Sequence, residues 1–305
     1  MAKTETTTKL LARFGRLNSQ RVNWENHWQE VADYMMPRKA NITKRRTRGD
    51  KRNELIFDSS PLQALELLAA SLHGMMTNPS TPWFTLKFKD AQMDQNDEAK
   101  LWLESVTQDM YTAFNRSNFQ QEIFELYHDL ITFGTAAMYI EEDDEDLLKF
   151  STKHIAEIFI AEDDKGRIDT VYRKFTLSAR ALVQKFGNKV SQNIKVMSEK
   201  DPYQDVDILH CVYPRADFNP KLKDQENMPF ESVYLEMGSG DELSVSGFKE
   251  FPYVVPRYLK ASHEIYGRSP AMTALPDVKM LNEMSKTTIK AAQKQVDPPL
   301  LVPDD

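Results

Sequence analysis

Residues 251–299 read FPYVVPRYLKASHEIYGRSPAMTALPDVKMLNEMSKTTIKAAQKQVDPP. The triplet Tyr253-Val254-Val255 predicts a short strand that runs into Pro256-Arg257. After a polar loop comes Tyr266-Gly267-Arg268-Ser269-Pro270, in which Ser269 is a good helix N-cap and Pro270 suits the first helical position. The helix that follows can run to Val296, where Pro298-Pro299 stop it, and Pro276 is expected to bend or interrupt its first turns. On a wheel of 100° per residue, Lys279, Lys286, Lys290 and Lys294 share one narrow stripe. Val278, Leu281, Ile289, Ala292 and Val296 form one apolar flank, and Met280, Met284 and Ala291 form the other. Two apolar flanks and one basic stripe suit a helix packed between two neighbours with its lysines facing open space. A surface helix with solvated lysines has the same periodicity.

Composition sets wide bounds. The 305 residues can hold one large domain or two, and 41% hydrophobic with 10% aromatic residues is the composition of a folded chain. No apolar run reaches membrane-spanning length and no secretory signal opens the sequence. A single cysteine, Cys211, excludes an intrachain disulfide and a cysteine-based zinc cluster. The net charge of −7 argues against polyanion binding by the whole surface, so any nucleic-acid contact must be local.

From the amino terminus, Thr4 to Thr8 reads as a frayed start. Leu10, Leu11, Phe14, Leu17, Val22, Trp24, Trp28, Val31 and Met35 recur at helical spacing, which predicts one long helix ending at Pro37, with a possible break at Asn18-Ser19. The Trp24, Trp28 stripe reads as core. Arg38, Lys39, Lys44, Arg45, Arg46, Arg48, Lys51 and Arg52 then face one acid, Asp50, with no apolar periodicity. This basic arm reads as a loop, mobile until a partner or DNA phosphate orders it.

Ser60 with Gln63 makes a capping-box pattern ahead of Leu62 to Met76, which is apolar nearly all round and therefore expected to be buried. Trp83 to Phe88 alternates as a half-buried strand, and helices are expected over Ala99 to Asn115 and Phe119 to Phe133, the latter closed by Gly134. The pattern then turns to strands: Thr135 to Ile140, Leu147 to Thr152, Ile155 to Ala161 and Ile168 to Phe175. Asp163-Asp164-Lys165-Gly166 is a hairpin turn. Ser178 caps a short helix to Phe186, and Val206 to Tyr213 and Ser232 to Ser246 read as further hairpin strands, the second turning at Gly238-Ser239-Gly240. Helices bracketing a strand-rich middle make an α+β arrangement.

Catalytic signatures are sparse. The sequence has no nucleophile elbow, phosphate-cradling glycine loop, HExxH or dinucleotide fingerprint, and its six histidines are scattered singly. The run Glu141-Glu142-Asp143-Asp144-Glu145-Asp146 reads as a solvated hairpin tip. A divalent-ion site is its alternative, without the glycine spacing of a calcium loop. No metal or cofactor is expected.

Several separated motifs together resemble the portal, or head-to-tail connector, family of short-tailed bacteriophages. They are Trp28-x-x-Val31-Ala32-x-Tyr34-x-x-Pro37-Arg38; Asp58-Ser59 with Ala64 and Leu68-Ala69-Ala70-Ser71-Leu72; Pro82-Trp83-Phe84-x-Leu86; and Phe133-Gly134-Thr135-Ala136. Further on come Val212-Tyr213-Pro214-Arg215, Ser246-Gly247-Phe248, Phe251-Pro252, Val255-Pro256-Arg257, Tyr266-Gly267-Arg268-Ser269-Pro270, Ala274-Leu275-Pro276-Asp277, Leu281-Asn282 and Val296-Asp297-Pro298-Pro299.

The resemblance implies a ring of twelve subunits at one capsid vertex, inside the virion's head-tail junction. It implies partners: other copies of the chain, double-stranded DNA held without base readout, the major capsid protein, the terminase, tail adaptor proteins and internal core proteins, with no membrane and no enzymatic activity. It divides the chain into residues 1–57 (first helix and basic arm), 58–134 (helical wing core), 135–265 (strand-rich wing) and 266–305 (stem helix). Lys279, Lys286, Lys290 and Lys294 would line the channel or stem, and Val278, Met280, Leu281, Met284 and Ile289 would pack between subunits. The family's members are longer, so a shortened chain that stops before the rest of the stem, the clip and the crown is expected. Another phage structural protein, or a metal-dependent nuclease using Glu141 to Asp146, are the alternative readings.

Overall fold

A computed structural model describes residues 2–44, 47, 49–89, 96–219, 221–222 and 224–298. These residues form seven α-helices, eight strands and two antiparallel sheets. Helix α1 (Ala2–Met35) is unbroken at Asn18-Ser19, and it already includes the polar start expected to fray. Next come α2 (Ser60–Met76), α3 (Asp97–Arg116) and α4 (Phe119–Phe133). Strands β1 (Ala137–Asp143) and β2 (Leu147–Lys153) pair as a hairpin, and β8 (Tyr253–Val254) adds to the other edge of β1 through Met138↔Val254 and Tyr139↔Tyr253.

The second sheet is a five-stranded meander: β3 (Ile158–Glu162), β4 (Ile168–Ser178), β5 (Asp205–Pro214), β6 (Phe230–Glu236) and β7 (Glu242–Phe248). Helices α5 (Ala179–Phe186) and α6 (Gln192–Lys200) interrupt it between β4 and β5, and α7 (Pro270–Val296) ends the described chain. The sequence reading misses α6. Its sequence, QNIKVMSEK, carries one good cap, Ser191, and too few apolar residues to stand out.

The period-two alternation of the meander sets its layers. On one face Leu209, Cys211, Val233 and Leu235 pack with Leu10 and Phe14 of α1. On the other, Ile208 and Leu243 pack under Leu182 of α5 and Ile194 of α6. The largest core joins the second half of α1 (Trp28, Val31, Ala32, Met35) to α2, α4 and the first half of α7. Trp28 and Val31 are fully buried, as the helical spacing predicts, and Trp24 packs at the margin of this core.

Arg21 has no counterpart in the sequence reading. It is buried at the centre of α1, and its guanidinium donates to the carbonyl oxygens of Ile155 (3.0 Å), Ala156 (2.7 Å) and Ile158. Its Nε donates to Glu25 at 2.9 Å, and its plane lies 3.8 Å from the Phe159 ring centroid. One side chain thereby satisfies the irregular turn that leads into β3.

Two expectations fail for local reasons. Trp83 to Phe88 is extended but joins no sheet, because side chains of α3 take the place of a partner strand. The Tyr111 hydroxyl accepts from the Trp83 and Phe84 amides (2.7 and 2.6 Å) and donates to the Phe84 carbonyl (2.8 Å). The second concerns α2, expected to be buried all round. It buries only Pro61, Leu65 and Ala69, and Leu67, Leu68, Met75 and Met76 remain exposed. Its Ser60–Gln63 capping box is absent too: Asp58 accepts from the Ser60 amide at 2.8 Å instead.

The Asp163 turn behaves as its sequence predicts. Asp163 Oδ1 accepts from the Lys165 and Arg167 amides, both at 2.8 Å, and Gly166 takes φ +74°.

Candidate assembly and DNA-facing surfaces

Helix α7 is rooted before it begins. Tyr266 is buried beneath Trp24 and Trp28, its ring 5.0 Å from that of Trp28 in an edge contact. Gly267 lies against Gly134, the left-handed residue that ends α4 at φ +75°. The Gly267 amide donates to Thr135 Oγ1 at 2.8 Å, and the Tyr258 amide donates to the Gly134 carbonyl at 2.9 Å. Ser269 completes the joint: its hydroxyl donates to the Thr132 carbonyl (2.8 Å) and accepts from the Met272 amide (2.9 Å). The N-cap read from sequence therefore also ties α7 to α4.

The helix then runs unbroken through Pro276, whose ring lies on an exposed side. Its inner face is Ala271, Met272, Leu275, Val278 and Asn282. Asn282 holds the segment ahead of α2: its Oδ1 accepts from the Phe57 amide at 2.7 Å, and its Nδ2 donates to the Leu55 carbonyl at 2.8 Å. Beyond Lys286 every described residue of α7 is exposed.

Val278, expected among the residues that pack between subunits, lies instead in the subunit's own core with Leu275. It falls one turn before Asn282 on the inward face. Met280, Leu281, Met284 and Ile289 are exposed.

The lysine stripe divides in two. Lys279 pairs with Glu30 of α1 at 2.6 Å. Lys286 pairs with Glu283 at 3.0 Å and sits over the Phe57 ring. Lys290 and Lys294 are exposed, with no ion pair among the described residues.

The root of the basic arm is fixed within the subunit, in contrast to the expected mobility. Arg38 pairs with Glu125 at 3.0 Å, Lys39 with Glu125 at 2.6 Å and Asp129 at 2.5 Å, and Lys44 with Asp33 at 2.9 Å. Buried carboxylates on α1 and α4 need these cations, and no sequence pattern pairs residues so distant. Arg45, Arg46 and Arg48 lie outside the described residues.

Burial pushes the Asp129 carboxyl up to about 6 against the pull of Lys39. Its folded value lies above the ordinary 3.8, so ionisation opposes folding, and stability is gained as pH falls from 7 through 6. From pH 7 to pH 5 this group should contribute about 1 kcal/mol of added stability. The difference in unfolding free energy between wild type and Asp129→Asn should shift by that amount over the same interval. Parallel pH profiles would remove Asp129 as the titrating group.

The acidic run serves its own turn. Asp143 Oδ2 accepts from the Glu145 and Asp146 amides (3.3 and 3.1 Å), and Glu141 lies 3.6 Å from Lys149. Among the described residues no group of three or more His, Cys, Asp or Glu side chains is placed to hold a metal ion. His210 is a core residue: it stacks 4.0 Å from Tyr234 and contacts the hydroxyls of Ser232 (3.0 Å) and Tyr253 (3.3 Å). Burial holds it well below the ordinary histidine range, so it stays neutral. No helix among the described residues is long and apolar enough to cross a membrane.

Residues 7–305 match the sequence profile of the bacteriophage head to tail connecting protein. The chain belongs to that family. The resemblance carried by the separated motifs is thereby borne out over nearly the whole chain. A probable portal protein of Bordetella phage BPP-1 is 34% identical over 308 residues, covering 99% of this chain and 56% of the relative. The portal protein of Salmonella phage epsilon15 is 35% identical over 309 residues, covering 99% and 55%. This connecting protein chain thus spans about half the length of the curated relatives it matches.

Proposed function

We propose that the chain is the wing-and-first-stem portion of a portal subunit, which assembles as a ring around an axial DNA channel at one capsid vertex. The observation that carries this reading is α7. Its first half is locked into the body, and beyond Lys286 it leaves the body with apolar and basic side chains exposed and no partner outside the helix among the described residues. Residues 1–57, 58–134 and 135–265 make the wing, and residues from 266 start the stem. Packaging and ejection of double-stranded DNA, docking of the terminase and then of tail adaptors, and contacts with capsid and core proteins come with this reading. So does a structural rather than an enzymatic role.

A channel that passes any sequence needs phosphate contact without base readout. Lys290 and Lys294, repeated around a ring, supply it as shallow cationic belts. Lys279 is held by Glu30 and contributes to the junction with α1 instead. Electron microscopy of the purified full-length protein tests the reading directly: closed rings with an open axial channel are expected, and a compact monomer or a solid particle refutes it. Exchange of Lys286, Lys290 and Lys294 for glutamine should leave the rings intact but weaken DNA retention. The log–log salt slope of retention should fall by about 1 for each phosphate that a lysine no longer neutralises. An unchanged slope would mean that these lysines face shell or neighbour carboxylates.

A further inference from the structure

We infer that the cleft between α2 and α4 at His128 is a binding site for a guanidinium group, the side chain of an arginine on a partner protein. The inference does not rest on ring formation. The cleft has a volume of about 490 Å³, and its walls include Glu66 of α2, Arg38 of the basic arm, and Glu122, Phe124, Glu125 and His128 of α4. That volume lies in the range that takes a small ligand.

His128 supplies the observation that points to a ligand. The residue is only 1% exposed, yet neither Nδ1 nor Nε2 has a hydrogen-bond partner among the described residues. Glu66 Oε2 lies 3.7 Å from Nε2, beyond hydrogen-bond reach. Buried polar groups are nearly always paired. Burial, and after it the charge of Arg38, hold this ring below the ordinary histidine range. A neutral imidazole presents one acceptor nitrogen and one N–H, so it can take a donor from a bound cation.

The surrounding charges decide the sign of that ligand. Glu66, Glu122 and Glu125 face a single cation in the cleft wall, Arg38. Beneath them Lys39 and Asp129 pair with each other at 2.5 Å. Glu125 is held by Arg38 and Lys39, and Glu122 Oε2 accepts from the Thr152 amide at 2.6 Å. Glu66 is 65% exposed and pairs with no lysine or arginine among the described residues. An anion would be repelled here. A divalent metal lacks its ligands, since no three carboxylate or imidazole groups among the described residues are placed to hold one. A guanidinium finds the parts that recognise it. Glu66 offers an unpaired carboxylate for a bidentate pair, His128 a buried acceptor beside it, and Phe124 an aromatic wall edge-on to His128 at 4.8 Å.

The test uses the full-length protein and N-acetyl-arginine methylamide as the probe, titrated by calorimetry at low salt. One saturable site per subunit is expected. The citrulline analogue, similar in shape and uncharged, should not bind. Glu66→Gln should weaken binding at least about tenfold without loss of thermal stability. His128→Phe should abolish binding while Tm stays level or rises, because two unpartnered polar atoms leave a buried place. The exposed Glu66 keeps the test decisive should His128→Phe fail to fold. Unchanged binding by Glu66→Gln, equal binding of the citrulline or the lysine analogue, or no binding by wild type overturns the inference. Assembly then identifies the source: poor ring formation by Glu66→Gln puts the arginine on a second copy of the chain, and normal rings put it on another protein.

Discussion

Replacing Gly134 with alanine is expected to be the most damaging single-methyl change in the chain. An added Cβ would lie 2.3 Å from the Gly267 carbonyl oxygen and 2.7 Å from two backbone carbons, none of which can swing aside as a side chain can. The residue also sits at φ +75°, where a side chain is strained whatever the space. Strain and overpacking together should cost about 3 kcal/mol or more, a loss of roughly 6–10 °C in Tm. Gly267→Ala meets the Gly134 carbonyl at 2.4 Å and should cost a similar amount. The double variant should cost less than the sum, since one parting of the two backbones relieves both clashes. Gly15→Ala is the control: it lies in α1 with open space around it and should stabilise by up to about 1 kcal/mol. Thermal unfolding of the four variants decides the matter. A Gly134→Ala protein as stable as Gly15→Ala would mean that α4 and α7 are not in backbone contact.

The second large effect is expected at Arg21. Arg21→Met keeps much of the apolar stem but leaves the Ile155, Ala156 and Ile158 carbonyls and Glu25 without their shared donor. Orphaned buried acceptors cost about 1–3 kcal/mol each, with partial relaxation, so a loss of about 3–5 kcal/mol is expected in denaturant unfolding. Arg21→Lys should recover only part of it, because one ammonium cannot span a fork of carbonyls and a carboxylate. A loss under about 1 kcal/mol from Arg21→Met would show that water satisfies the turn as well as the guanidinium does.

The elements that sequence reading finds are those whose signals are local. Gly134 closes α4, Ser178 and Ser269 cap their helices, and Asp163 and Gly166 make a hairpin from five consecutive residues. Trp28, Val31 and Met35 sit on the buried face because helical spacing alone puts them there. What it misses depends on residues far apart in the chain. Arg21 looks like any surface cation on a helix until the turn at 155–158, more than 130 residues later, is folded beneath it. Trp83 to Phe88 has the alternation of a strand, and only the Tyr111 hydroxyl shows why it pairs with no strand.

The candidate site is legible to the same extent. The caps and periodicity of α7 are readable, but not the position at which it leaves the body. That position separates Val278, which belongs to the core, from Met280 and Ile289, which do not. It also separates Lys279, held by Glu30, from Lys290 and Lys294. Helix α2 is the instructive case. Its composition suits cover on every side, and among the described residues only one side receives it.

The rooting of α7 has a mechanical consequence. From Lys286 to Val296 the helix extends about 15 Å without support from the described residues of its own subunit, while its other end is gripped by Gly134, Thr135 and Ser269. It is a cantilever. A sideways push at Val296 cannot be absorbed along the rod and becomes a torque on the α4 terminus, where two glycine backbones touch and no side chain lies between them as a cushion. Strain on the distal end would reach the helices of the body with little loss, and through Asn282 it would reach the segment that starts α2.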